Sequence, residues 1–149
     1  KIPTVPPVGH VIAYEYLWAS QRSDRENGGK VYPCAIVMAV DDAGPHPIAY
    51  VLGISHSPPR KEQRAIPVPE KLKRHLGLDQ DPSWIYTGEL NVFAWPGPDL
   101  RPGNFLSTRP AAVDNCVIGQ LPSDWFEKIK AHLLESQRLE QLEITKRTA

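Results

Sequence analysis

Apolar residues along the chain fall into short blocks separated by proline, glycine and charge, a pattern of strands more than of helices. Val8 to Trp18 mixes β-branched and aromatic residues and reads as a first strand. Ala19 to Lys30 is polar with a Gly-Gly pair, which predicts a long loop. Val31 to Val40 is apolar on both faces, as a central strand should be. Asp41 to Pro45 is a turn, and His46 to Ser57 a third strand that closes a hairpin with the second. Pro58-Pro59 stops it. Ala65 to Val68 is a short edge strand, the kind that tolerates Pro67. Pro69 to Leu76 starts on proline and ends before Gly77, which marks a short helix. Trp84 to Tyr86 is another strand, Glu89 to Trp95 extends or turns from it, and Pro96 to Pro110 is ordered, proline-rich loop. Ala111 to Leu121 is a last strand. Ser123 caps a C-terminal helix with Asp124 and Glu127 in its first turn, and beyond Leu139 the helical pattern weakens. These elements predict a mainly β protein, a small antiparallel barrel with a short helix and a C-terminal helix, in one domain spanning residues 1–149.

Composition narrows the class without naming a function. Sixteen prolines in 149 residues limit helix and favour braced loops. Seventeen Lys+Arg balance seventeen Asp+Glu, and the pI near 7.1 argues against a polybasic protein while leaving room for a local basic site. Such a site exists in sequence: residues 60–76 carry an excess of four positive charges, read either as a solvated face or as a rim that tracks phosphates. Cys34 and Cys116 form no CxxC or zinc spacing, so free buried thiols and a reducing, cytoplasmic setting are expected. The longest apolar run, Pro33 to Val40, is too short to span a bilayer, and no signal-like segment follows Lys1, so no membrane role is expected. His10, His46, His75 and His132 lack ligand spacing, so neither a metal nor a cofactor is expected. No paired carboxylates support glycosidase chemistry; Glu15 and Glu89 read as surface or barrel-closing groups.

Three stretches in order carry a resemblance. His10-Val11-Ile12-Ala13-Tyr14-Glu15-Tyr16 follows Gly9 as an alternating strand with an acidic residue near its end. Lys30-Val31-Tyr32-Pro33-Cys34-Ala35-Ile36-Val37-Met38-Ala39 sets a basic residue and a proline before an apolar strand, and Ile48 to Ser57 ends a strand on a hydroxyl. Together they resemble the MazF/PemK family of bacterial toxin ribonucleases over roughly the first sixty residues. The resemblance implies an SH3-like barrel, a homodimer, an antitoxin partner and metal-independent cleavage of single-stranded RNA through the ribose 2′-hydroxyl. The family's catalytic Arg falls on Tyr32 here and its catalytic Thr on Ser55. A serine hydroxyl replaces that of threonine with little loss, whereas a tyrosine offers one neutral donor where arginine offers a charged fork.

Neighbours supply candidates for the missing charge and for proton transfer. Lys30 lies two residues before Tyr32, on the same face of a regular strand. His56 follows Ser55, and histidine suits general acid–base work, although strand alternation turns it to the opposite face unless the chain bends near Pro58. Tyr32, Ser55, Lys30 and His56 are therefore the candidate catalytic residues. Arg22 and Arg25 in the long loop, with Arg60, Lys61 and Arg64, are the candidate RNA-binding residues. Trp84, Trp95 and Phe93 read first as core and second as stacking faces for bases. Counting from the Asp41–Pro45 turn sets Tyr32 nearly opposite Ser55. Two alternatives stand beside the nuclease: a catalytically lapsed barrel that binds nucleic acid or a protein segment, and a hydrolase built on Ser55 and His56, which no GxSxG elbow supports.

Overall fold

The computed structural model describes residues 2–24, 28–41 and 44–147. Its strands are β1 (His10–Tyr14), β2 (Tyr32–Val40), β3 (Ile48–Ser55), β4 (Ala65–Pro67), β5 (Trp84–Tyr86), β6 (Glu89–Ala94), β7 (Val117–Gln120) and β8 (Glu143–Lys146). Among the described residues two α-helices join them, α1 (Glu70–His75) and α2 (Ser123–Arg138). The protein is mainly β with a C-terminal helix, as the block pattern predicts.

The sheet runs β4-β5-β3-β2-β1-β7, and β6 joins the free edge of β3. Residues 48–51 of β3 pair with β6, and Ile54 and Ser55 at its end pair with β5. One strand thus serves two sheets. The antiparallel sheet is open, because the pairing path through the described strands never returns on itself.

Alternation along β1 to β3 feeds two cores. Val11, Ala13, Ala35, Leu52 and Ile54 face Ile66, Leu72, Leu76, Ile85 and Ile129, on the side carrying both helices. Ile12, Tyr14, Cys34, Ile36 and Val51 face Phe93, Trp95, Leu100 and Cys116 on the other. Strands buried on both faces are apolar at every position, which is why β2 reads as central. Cys34 and Cys116 are free and buried. No helix among the described residues is long and apolar enough to cross a membrane.

Three boundaries differ from expectation. Ser123 is the first residue of α2 and makes no side-chain cap; Pro122 holds the N-cap position. Residues 111–116 are not strand, since Pro110–Ala112 forms a 3-10 turn and β7 begins only at Val117. The chain beyond Leu139 is no fraying helix: Glu140 takes a positive φ of 57°, the chain reverses, and β8 pairs parallel with β6.

Candidate functional site

The site forms where β3 runs out. Pro33 follows Tyr32 in β2, and the register of β2 on β3 shifts by one residue between Ile36 and Met38. The lower register, Cys34 opposite Gly53, carried two residues further sets Tyr32 level with Ser55 on one face. Ser55 is the last residue of β3, and its Oγ accepts a hydrogen bond from the Ser57 backbone N–H at 3.1 Å. That local turn breaks the alternation. Ser55 and His56 consequently line one cleft of about 140 Å³ with Lys30, Tyr32 and Ser57.

Helix α1 supplies the opposite wall. Pro69 starts it, Gly77 takes a φ of 68° just past it, and Leu72 and Leu76 bury its apolar face. Lys73 lies on the same buried side, with only 5% of its side chain exposed. A buried ammonium is costly unless each proton finds a partner. Its Nζ donates to Asp79 Oδ1 at 2.7 Å, to Ser83 Oγ at 2.7 Å and to the Asp81 carbonyl, which uses all three protons.

Asp79 in turn holds His56, whose Nε2 lies 3.0 Å from Oδ1 and 2.9 Å from Oδ2. Burial works against ionisation of Asp79. Hydrogen bonds and charge from Lys73 and His56 outweigh it and hold the carboxyl below the usual aspartate range. A carboxylate only accepts, so Nε2 of His56 carries a proton, and the tautomer of the neutral ring that fits this contact has its lone pair on Nδ1. The two side chains are about half exposed, so the pair adds little stability and acts by orientation. Lys30 sits over the Tyr32 ring at 5.5 Å from the centroid, and Gly28 lets the loop pack on the Glu15 and Tyr16 carbonyls, which a Cβ would approach to 2.6 and 2.7 Å.

The candidate RNA-binding residues scatter. Arg22 leaves the cleft for β8, donating to the Ile144 carbonyl at 3.3 Å and to Glu143 at 3.4 Å. Arg25 lies outside the described residues. Arg60 pairs with Glu62 at 2.9 Å in a neighbouring recess, and Lys61 is exposed. Arg64 is a clasp between β4 and α2, bonded to Ser136 Oγ at 2.5 Å, Glu135 at 2.8 Å and the His132 carbonyl at 3.2 Å. Of the stacking candidates, Trp95 and Phe93 are core.

Asp79 and Trp18 escaped the sequence reading as site residues, and Lys73, counted there in the basic run of residues 60–76 as a solvated or phosphate-tracking group, is buried instead. A lysine directly beside Leu72, on the core side of an apolar helix face, was the one available signal. His56, which was not among the histidines weighed for ligand spacing, lies with Asp79 and Asp81 so that their ligand atoms fall within 4.8 Å of one another, and the ammonium of Lys73 already pairs with Asp79 there. The chain matches no protein-family model and no curated protein.

Proposed function

We propose that the chain is a metal-independent endoribonuclease of the MazF/PemK type that cleaves single-stranded RNA in this cleft. The observation that carries the reading is the convergence of Tyr32, Ser55, His56 and Lys30 in one cleft backed by Lys73 and Asp79. His56 Nδ1 takes the proton of the ribose 2′-hydroxyl, and Asp79 fixes its tautomer and stabilises the imidazolium. The 2′-oxygen bonds to phosphorus as the bond from phosphorus to the 5′-oxygen breaks. Tyr32 gives its proton to the leaving 5′-oxygen and recovers it from His56 through solvent. The products are a 2′,3′-cyclic phosphate and a 5′-hydroxyl. Ser55 donates to a non-bridging oxygen and Lys30 supplies the charge that an arginine gives in the family. The partners the resemblance implies, a second copy of the chain and an antitoxin, belong to the same reading. So does a cytoplasmic setting, which two free buried thiols suit.

A second reading rests on one feature: Lys73 spends every proton inside the protein, so among the described residues Lys30 is the one lysine in the cleft free to meet a phosphate. A site that poor in charge suits binding without turnover. Purified protein incubated with long unstructured RNA in chelator separates the two. Cuts ending in cyclic phosphate, lost in Ser55→Ala, Tyr32→Phe and Asp79→Asn, support cleavage. RNA retained by the protein yet intact at micromolar concentration overturns cleavage in favour of binding.

A further inference from the structure

Beside the cleft lies a second recess of about 250 Å³ that shares Tyr32, Ser55 and Ser57 with it. Three rings line it. Trp18 meets Tyr32 at 5.3 Å with an interplanar angle of 89°, and meets Tyr86 at 5.3 Å and 74°. Each ring is held. Trp18 packs on Gly53, where a Cβ would come within 2.7 Å of the indole. Tyr86 donates its hydroxyl to the Ser57 carbonyl at 2.5 Å, and Tyr32 is fixed in β2 by its pairing with Tyr14. Trp18 is half-buried, so part of the indole faces the recess. Rigid rings that cross at right angles leave room for a flat heterocycle stacked on one and edged by another.

The polar lining is specific. Gln21, Gln63 and Arg60 reach the recess, and so does Glu89, which is buried. Glu89 Oε1 accepts from the Tyr16 hydroxyl at 3.2 Å and the Ala19 N–H at 3.0 Å, which locks the carboxyl in place. A carboxylate complements an edge carrying adjacent donors. Guanine presents N1–H beside its N2 amino group, whereas uracil presents a single N–H between two carbonyls. Arg60 in the same lining opposes an alkylammonium guest, the other ligand that aromatic boxes take.

We propose that this recess is a nucleobase subsite that takes guanine, its 3′-phosphate reaching Ser55 and Lys30 in the adjoining cleft. The proposal rests on the RNA reading above and adds the base next to the phosphate. Because Tyr32 and Ser55 belong to both spaces, one nucleotide fills them without a spacer.

Calorimetric titration of the intact protein with 3′-GMP, 3′-UMP, inorganic phosphate and a trimethyllysine peptide tests it. The expected result is 3′-GMP bound at least tenfold tighter than 3′-UMP, and no binding of the peptide. Trp18→Ala weakens 3′-GMP by about 5- to 150-fold, the range of one base–aromatic stack, and leaves inorganic phosphate unchanged. Trp18→Phe keeps most of the affinity, and with the wild-type comparison it decides the matter if the alanine variant misfolds. Equal affinity for the two nucleotides, or capture of the peptide instead, overturns the proposal. RNA left uncut by a protein that prefers 3′-GMP removes the cleavage reading alone. Cleavage without base preference removes the subsite alone.

Discussion

Arg147, the residue directly after β8, carries a measurable share of the fold. Its side chain is 2% exposed and its partner Asp99 is 14% exposed, with Nη2 2.6 Å from Asp99 Oδ2. Nη1 donates to the Glu15 carbonyl at 2.8 Å, to Asn91 Oδ1 at 3.0 Å and to the Tyr14 hydroxyl at 3.1 Å. The guanidinium therefore ties the C-terminal segment to β1, to β6 and to the loop before Arg101. Arg147→Met keeps the aliphatic volume and removes every one of these bonds. Breaking a buried ion pair from one side costs about 3–5 kcal/mol, because the remaining charge stays buried and unpaired. At about 2–4 °C per kcal/mol for a chain of this size, the melting temperature falls by roughly 6–20 °C.

Urea unfolding followed by circular dichroism measures the loss directly, since an unchanged slope with a lower midpoint reports stability alone. Adding Asp99→Asn separates the two contributions. If the cost is mainly the orphaned carboxylate, the double variant regains stability relative to Arg147→Met. If it is mainly lost hydrogen bonding to Asn91 and Glu15, the second substitution adds a further loss. An Arg147→Met protein within about 1 kcal/mol of wild type refutes the reasoning, and with it the claim that β8 is pinned rather than merely adjacent.

Two further predictions concern pH and run in opposite directions. His132 lies 2.5 Å from Thr87 Oγ1, and burial, with help from Arg64, lowers its affinity for protons. A depressed value means stability present above the unfolded histidine range is lost as pH falls through the folded value; melting temperatures between pH 7.5 and 5 should decline, and His132→Gln should flatten that decline. Burial instead pushes the Glu89 carboxyl up, against the opposing bonds from Ala19 and Tyr16. The fold thus holds the proton of Glu89 more tightly than the unfolded chain does, so stability present below the unfolded glutamate range is lost as pH rises through the folded value. Glu89→Gln should raise the melting temperature more at pH 8 than at pH 4.5, and an equal shift at both would count against the assignment.

The strands were legible because composition and periodicity agree in them. Val31 to Val40 is apolar at alternate positions on both faces and sits between β1 and β3, as such a run must. The C-terminal strand was not legible. Ile144 and Thr145 are its only β-branched residues, and the reversal depends on Glu140, a non-glycine residue at positive φ that sequence does not signal. Register was legible only by coincidence of two features. Continued from Ala39 opposite Ala49 without interruption, the ladder would bring Tyr32 level with His56; the shift between Ile36 and Met38 brings Ser55 there instead. The turn at Ser55 to Ser57 then returns His56 to the same cleft, where strict alternation would have sent it away.

That sequence of local events explains why the site is rigid on one side and adaptable on the other. Burying Lys73 is tolerable only while Asp79, Asp81 and Ser83 keep their places, so the fold's own stability holds the 79–83 loop and, through Asp79, the His56 ring. Among the described residues nothing comparable anchors Lys30. It is exposed at the end of a polar loop and rests on the Tyr32 ring through a contact worth only about 0.5–1 kcal/mol at such a site. On the ribonuclease reading proposed above, a phosphate entering the cleft meets a histidine already aimed and a lysine that must swing to it. On that reading the orienting half of the site is set by folding, and the charge that the family's arginine would fix is the part left to ligand binding.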